Sequence, residues 1–189
     1  MFIKNYRLLL FFILCCALNA KAIITTEVSA FYYTDKLSST SSVSSSKANY
    51  DVAILMTAEG KNTFAIGWSY IGVSSSDEMT TQTTYKSTET GPKLSYLFGK
   101  EKNWYVGLVY NFTAKANFED TNGSAEWRGT SYRAEFGFLP RISSKLAAGV
   151  KFNYHAANYN EQITNSSTLT KTTNSKTLIY PTLSLLYDF

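Results

Sequence analysis

Along most of the chain after residue 24, apolar and polar residues alternate with a period of two. Trp104, Val106, Leu108, Tyr110, Phe112 and Ala114 form one row, and Tyr105, Gly107, Val109, Asn111, Thr113 and Lys115 form the other. Successive side chains of a strand point to opposite faces, so this period predicts a strand with one apolar face. The same pattern marks eight segments: 25–37, 48–58, 63–73, 88–98, 104–117, 128–139, 145–158 and 176–189. Each is about ten to fourteen residues long, whereas an ordinary globular strand has ~5–6. Helical spacing is hard to find between them.

The connections differ in length on the two sides. Short ones, "EGKN" (59–62), "GKEKN" (99–103) and "PRISS" (140–144), follow the second, fourth and sixth segments. Ser/Thr/Asn-rich ones, 38–47, 74–87, 119–127 and 159–175, follow the odd segments and are expected to be long loops. Two barrels satisfy these rows. In a soluble calyx the aromatic row lines a cavity; in a membrane barrel it faces lipid and the polar row fills the bore. The membrane form is favoured. Every segment contributes an apolar row, the opposite row is rich in Gly, Ala and Ser, and the loop asymmetry belongs to membrane barrels. The expected fold is therefore all-β: an eight-stranded antiparallel up-and-down transmembrane β-barrel, with long loops on one side and short turns on the other. Aromatic girdles are expected at both boundaries, with Trp104, Phe98, Phe64, Tyr187 and Phe189 at one and Tyr32, Phe118, Trp127, Tyr132 and Tyr154 at the other. Pro92 and Pro181 interrupt this pattern. Each removes a ladder donor, so a bulge or a position above the bilayer is expected there.

The first residues read differently. Lys4 and Arg7 precede an apolar run, Leu8 to Leu18, and "NAKA" places Ala20 and Ala22 at the small-residue positions of a cleavage site. Residues 1–22 are expected to be a cleaved secretory signal peptide and 23–189 the barrel. Cys15 and Cys16 fall inside the leader, so the mature chain has no cysteine for a disulfide. The formal charge of +4 loses Lys4, Arg7 and Lys21 with the leader and becomes +1. No basic field remains for nucleic acid, and none is expected as a partner.

The bore of an eight-stranded barrel is just wide enough for side chains. Counted up from the short-turn end, Asp51, Lys93, Arg133, Glu135 and Lys151 fall at similar heights, about four to seven residues. They are expected to form an interior polar network, with Gly67, Gly107, Gly137 and Gly149 making room. Charges in such a bore must be paired or hydrated. The structural reading is a plug, and the functional alternative is a gate or narrow ion path. Chemistry has little to work with. His155 is the only histidine, which excludes a His-rich metal site. No catalytic residue, metal ligand or cofactor-binding residue is expected, and no cofactor.

The last residues, "LSLLYDF", place Leu183, Leu185, Tyr187 and Phe189 at alternate positions and end on Phe. This resembles the terminal signal of bacterial outer-membrane proteins, and the whole chain resembles the small eight-stranded barrels of the OmpA-domain and OmpX kind, with OmpW and opacity proteins as relatives. The resemblance implies export to the bacterial outer membrane, handling by periplasmic chaperones and the barrel-assembly machinery, lipopolysaccharide and outer-membrane lipid as surroundings, and a monomer. It implies no single activity. A structural or loop-presenting role in adhesion or recognition is expected. The alternatives are narrow porin-like or OmpW-like transport of small or apolar solutes and, further off, lipid A modification. For the last, "FNYHAAN" loosely resembles the histidine-serine pairing of an outer-membrane lipid A deacylase, but Ala157 stands where that family has its serine.

Overall fold

The computed structural model describes residues 22–37, 43–58, 63–77, 82–121, 123–164 and 169–189. The leader with Ala20, the turn at 59–62 and residues 38–42, 78–81, 122 and 165–168 lie outside the described residues. Eight strands follow one another: β1 (Ala22–Leu37), β2 (Val43–Ala58), β3 (Thr63–Asp77), β4 (Thr83–Phe98), β5 (Trp104–Asp120), β6 (Gly123–Phe138), β7 (Leu146–Thr164) and β8 (Leu169–Asp188). Each pairs with the next, and β8 pairs antiparallel with β1 to close the barrel in chain order.

The alternation sorts as the sequence reading required. Outward rows carry Tyr50, Val52, Ile54 and Met56 on β2 and Phe64, Ile66, Trp68 and Tyr70 on β3, all exposed. On β7 they carry Val150, Phe152 and Tyr154, and on β8 Ile179, Leu183, Leu185 and Tyr187. The calyx alternative needs these rows inside. A continuous belt of exposed aromatic and aliphatic side chains around a closed sheet is the outer surface of a transmembrane barrel.

Three features depart from expectation. First, the Ser/Thr-rich stretches expected as long loops are mostly strand. Ser45 and Ser46 of β2 pair with Asp77 and Ser76 of β3, and β8 begins at Leu169 rather than 176. The strands on this side are bounded by Leu37 and Val43, Asp77 and Thr83, Asp120 and Gly123, and Thr164 and Leu169. The sheet rises as a polar crown above the belt. There both faces meet water, so alternation disappears while Thr and Ser still serve the ladder.

Second, a register shift between Asn111 and Ala114 flips the rows of β5. Ala114 and Ala116 are buried in the bore and Lys115 is exposed, the reverse of the sequence reading. Phe118 turns inward with them and stacks on Trp127 at 4.9 Å. Both pack against the interior cluster instead of joining the outer girdle. Third, the prolines behave differently from one another. Beside Pro92 the β4–β5 register shifts between Thr90 and Lys93, the bulge expected there. At Pro181 the β7 register is regular, with Phe152 opposite. On its other side, however, the β1–β8 ladder has already ended at Ala30↔Leu183.

Gly67 marks how closely the wall is built. A Cβ there would lie 1.9 Å from the Ile54 carbonyl oxygen of the neighbouring strand. Gly67→Val is expected to destabilise the refolded barrel by ~1–3 kcal/mol, the usual cost of overpacking. Urea unfolding in lipid vesicles measures this, and an unchanged midpoint would show that the wall can yield.

Candidate functional site

The inward rows fill the bore in layers. At the short-turn end, Leu97, Tyr105, Leu139, Ala147 and Leu186 form one apolar cluster, and Ala53, Leu55 and Ala65 another. Above them stands the charged layer. Lys93 of β4 reaches Glu27 of β1 at 2.8 Å, Asp51 of β2 at 3.3 Å and Glu135 of β6 at 3.0 Å. Arg133 binds Asp51 at 2.5 Å and Glu135 at 2.6 Å. Lys151 of β7 binds Glu27 and, at 3.2 Å, Glu135. The Tyr105 hydroxyl is within 2.9 Å of both Glu27 and Glu135 and donates to this carboxylate pair. Ser69 of β3 donates to Asp51 at 2.8 Å.

All five residues expected in the interior network, Asp51, Lys93, Arg133, Glu135 and Lys151, thus meet in one cluster. The cluster closes only with two groups the sequence reading missed, Glu27 and Tyr105. Glu27 carried a usable signal. It lies between outward Thr26 and Val28, so strand parity alone turns it inward. With it, three carboxylates face three cations, and the layer is formally neutral. Neutrality matters because a lone charge in a dry bore costs several kcal/mol, while a fully paired one roughly breaks even. Glu27, Asp51 and Glu135 bring their oxygens within 4.8 Å of one another, close enough to ligate a metal. Lys93, Arg133 and Lys151 already occupy the space between them as counter-ions. Gly107 makes the room: a Cβ there would sit 2.6 Å from Glu135 Oε2.

A second polar layer centres on Glu89 of β4. It accepts from Ser87 at 3.1 Å, from Asn111 at 3.3 Å and from Ser131, and its Oε2 lies 2.7 Å from His155 Nε2. His155 is therefore a hydrogen-bonded interior residue. Ser131 and His155 share the Glu89 carboxylate rather than bonding to each other, and Ala157 lies in an apolar cluster, so the deacylase-like pairing is not assembled. Ile71, Val73, Val109, Ala114 and Ala157 pack around this layer and fill the bore. The hydroxyls of Tyr85 and Tyr159 meet across it at 2.5 Å.

Leu183, Leu185, Tyr187 and Phe189 all point outward at the short-turn end, exposed. The Phe189 amide donates to Ile24 O at 2.9 Å, and the Tyr187 and Phe189 rings meet edge to face at 5.0 Å. Asp188 accepts from Thr25 at 2.6 Å and pairs with Arg141 at 2.9 Å.

No family model matches the chain, and no curated protein matches its sequence. Among solved structures the chain is similar to the crystal structure of Neisserial surface protein A. The identity is 12% and the TM-score 0.51, over 88% of this chain and 97% of that one. At that identity the likeness shows the fold, that of a small eight-stranded transmembrane barrel.

Two outcomes follow from this geometry. Lys93→Met leaves three carboxylates facing two cations and is expected to destabilise the barrel by ~3–5 kcal/mol. Lys93→Met/Asp51→Asn restores the balance and should recover part of that loss in urea unfolding; equal stability of single variant and wild type would show the charges hydrated instead. The second outcome concerns Lys176, which stands above Ile179 on β8. Burial pushes its amine down to about 8, with repulsion from Lys47 adding to the effect. The unfolded chain, with a lysine value near ~10.4, binds more protons between the two values, so this group's contribution to stability rises with pH across that window. NMR titration of the methylated amine should show a midpoint near 8. In Lys47→Gln it should move part of the way back, and a midpoint at the ordinary lysine value would refute the assignment.

Proposed function

We propose that the protein is an integral barrel of a bacterial outer membrane with a non-enzymatic role: it reinforces the envelope and displays its polar crown at the surface for adhesion or recognition. The observation that carries this reading is the filled bore. Three acids, three bases and Tyr105 are buried and mutually paired, and the Tyr85–Tyr159 pair lies across the bore above them. A conducting path would require the ionic layer to break, and each unpaired charge would then stand in a low-dielectric space. The porin-like alternative therefore has no support from the bore, and lipid A modification has none from His155, Ser131 and Ala157. The outward belt supports residence in lipid, and the fold shared with a surface protein accords with display at a cell surface. Export through a cleaved leader, assembly read from Leu183, Leu185, Tyr187 and Phe189 by the barrel-assembly machinery after chaperone delivery, and a monomeric state in lipopolysaccharide-bearing membrane complete the reading.

Planar-bilayer recording of the refolded protein tests it. No reproducible single-channel steps are expected. Stable unitary conductance would overturn the filled-plug reading in favour of a narrow channel.

A further inference from the structure

The wall of the barrel is uneven. β1 pairs with β2 over sixteen residue pairs, from Ala22↔Ala58 to Leu37↔Val43. With β8 it forms six, from Thr25↔Asp188 to Ala30↔Leu183. Above Leu183, β1 continues to Leu37 and β8 reaches up to Leu169, each tied to its other neighbour and not to the other across the seam. Pro181, which has no N–H to give a ladder, sits just where pairing stops. The rings of Phe31 and Tyr180 face each other across the gap with centroids 6.1 Å apart.

Behind the gap lies a cavity of about 160 Å³, lined by Phe31, Tyr33, Asn49, Val73, Leu178 and Ile179 among others. Ile179 belongs to the outward apolar row and is 76% exposed, whereas Val73 is buried in the bore. The cavity therefore runs through the wall, from the lipid-facing surface into the upper bore. Inside it, the Oδ1 of Asn49, a residue only 6% exposed, has no hydrogen-bond partner among the described residues. A buried acceptor left unpaired has given up its hydrogen bond to water with nothing in return, so its position calls for a donor. At the rim stand two cations. Lys47 is exposed and also lines the cavity, and Lys176 is held by Ser75 at 3.3 Å and the Tyr85 ring at 3.8 Å. Among the described residues no carboxylate pairs with either, and each repels the other.

An apolar slot continuous with the lipid-facing belt, an orphaned acceptor inside and two unneutralised amines above describe an amphiphile in negative outline. Full ligand pockets hold ~300–1,000 Å³, so this one admits part of a single chain and not a two-chain lipid. We propose that the β1–β8 seam binds one acyl chain of an anionic, hydroxyl-bearing lipid of the surrounding leaflet, its headgroup held by Lys47 and Lys176 and its hydroxyl donated to Asn49. This site rests on the membrane reading above.

The test uses the full barrel in phosphatidylcholine vesicles doped with chain-spin-labelled lysophosphatidic acid, with lysophosphatidylcholine of the same chain as control. A motionally restricted component of one lipid per barrel is expected with the acid. It should weaken about tenfold in Lys47→Gln/Lys176→Gln, the loss of charge-assisted contacts, and vanish in Asn49→Phe, which fills the slot. Vesicle flotation and heat-shifted gel mobility establish that each variant is inserted and folded. A folded, floating barrel with no restricted component, or with the same component for both lipids and all variants, overturns the site alone. A wild-type chain that does not float overturns the membrane reading and the site together.

Discussion

Every backbone donor and acceptor at membrane depth needs a partner within the protein, because hydrocarbon offers none. That constraint governs this chain more than any side-chain contact. It explains why eight strands close in chain order, and why the closure is thinnest only where the chain can tolerate it. The β1–β8 ladder is complete through the lower part of the barrel, where the outward faces are Ile24, Val28, Leu183 and Leu185. It ends where Pro181 lacks a donor in any case. The strand that cannot pair there removes part of its own requirement.

The same lack of solvent dictates the interior. A bore too narrow for bulk water must be filled by the side chains that parity turns inward. Some of those are charged, since Lys93, Arg133, Lys151, Glu27, Asp51 and Glu135 share the inward rows of five strands. Their chemistry is then reduced to mutual neutralisation. Rigidity follows: each acid touches at least two cationic partners or a cation and a hydroxyl, so no member can move without stranding another. A network with this connectivity suits a fixed plug better than a gate, which needs two arrangements of similar energy.

The sequence made the barrel legible because lipid on one side and a packed bore on the other impose a strict period of two. Where that contrast ended, so did legibility. Ser44 to Ser46, Asn174 and Ser175 read as loop because water bathes both of their faces, although ladder pairing keeps them in strand. The bulge between Asn111 and Ala114 was invisible for another reason: Lys115 and Ala114 both fit either face in isolation, and only pairing with Gly129 and Arg128 fixes which one turns inward. Of the ionic cluster, five members were legible from parity and height. Glu27 obeyed the same rule in a segment whose rows had not been sorted. Tyr105 had been placed in the inward row correctly, but nothing in its neighbours marked its hydroxyl as the bridge between two carboxylates.

The end of the chain joins these threads. All six residues that β8 contributes to the closing ladder, Leu183 to Asp188, belong to the terminal "LSLLYDF" stretch. Its outward residues, Leu183, Leu185 and Tyr187, face the belt, while Ser184 bonds Ser29 at 2.9 Å inside the bore. Asp188 ties Thr25 and Arg141 at the lower rim. One short segment therefore supplies the whole β8 side of the closing seam, and the strand above it is free of that duty. Concentrating closure in the last residues leaves β8 above Leu183 able to diverge from β1 without opening the barrel below, which is the condition for a slot in the wall of an otherwise sealed ring.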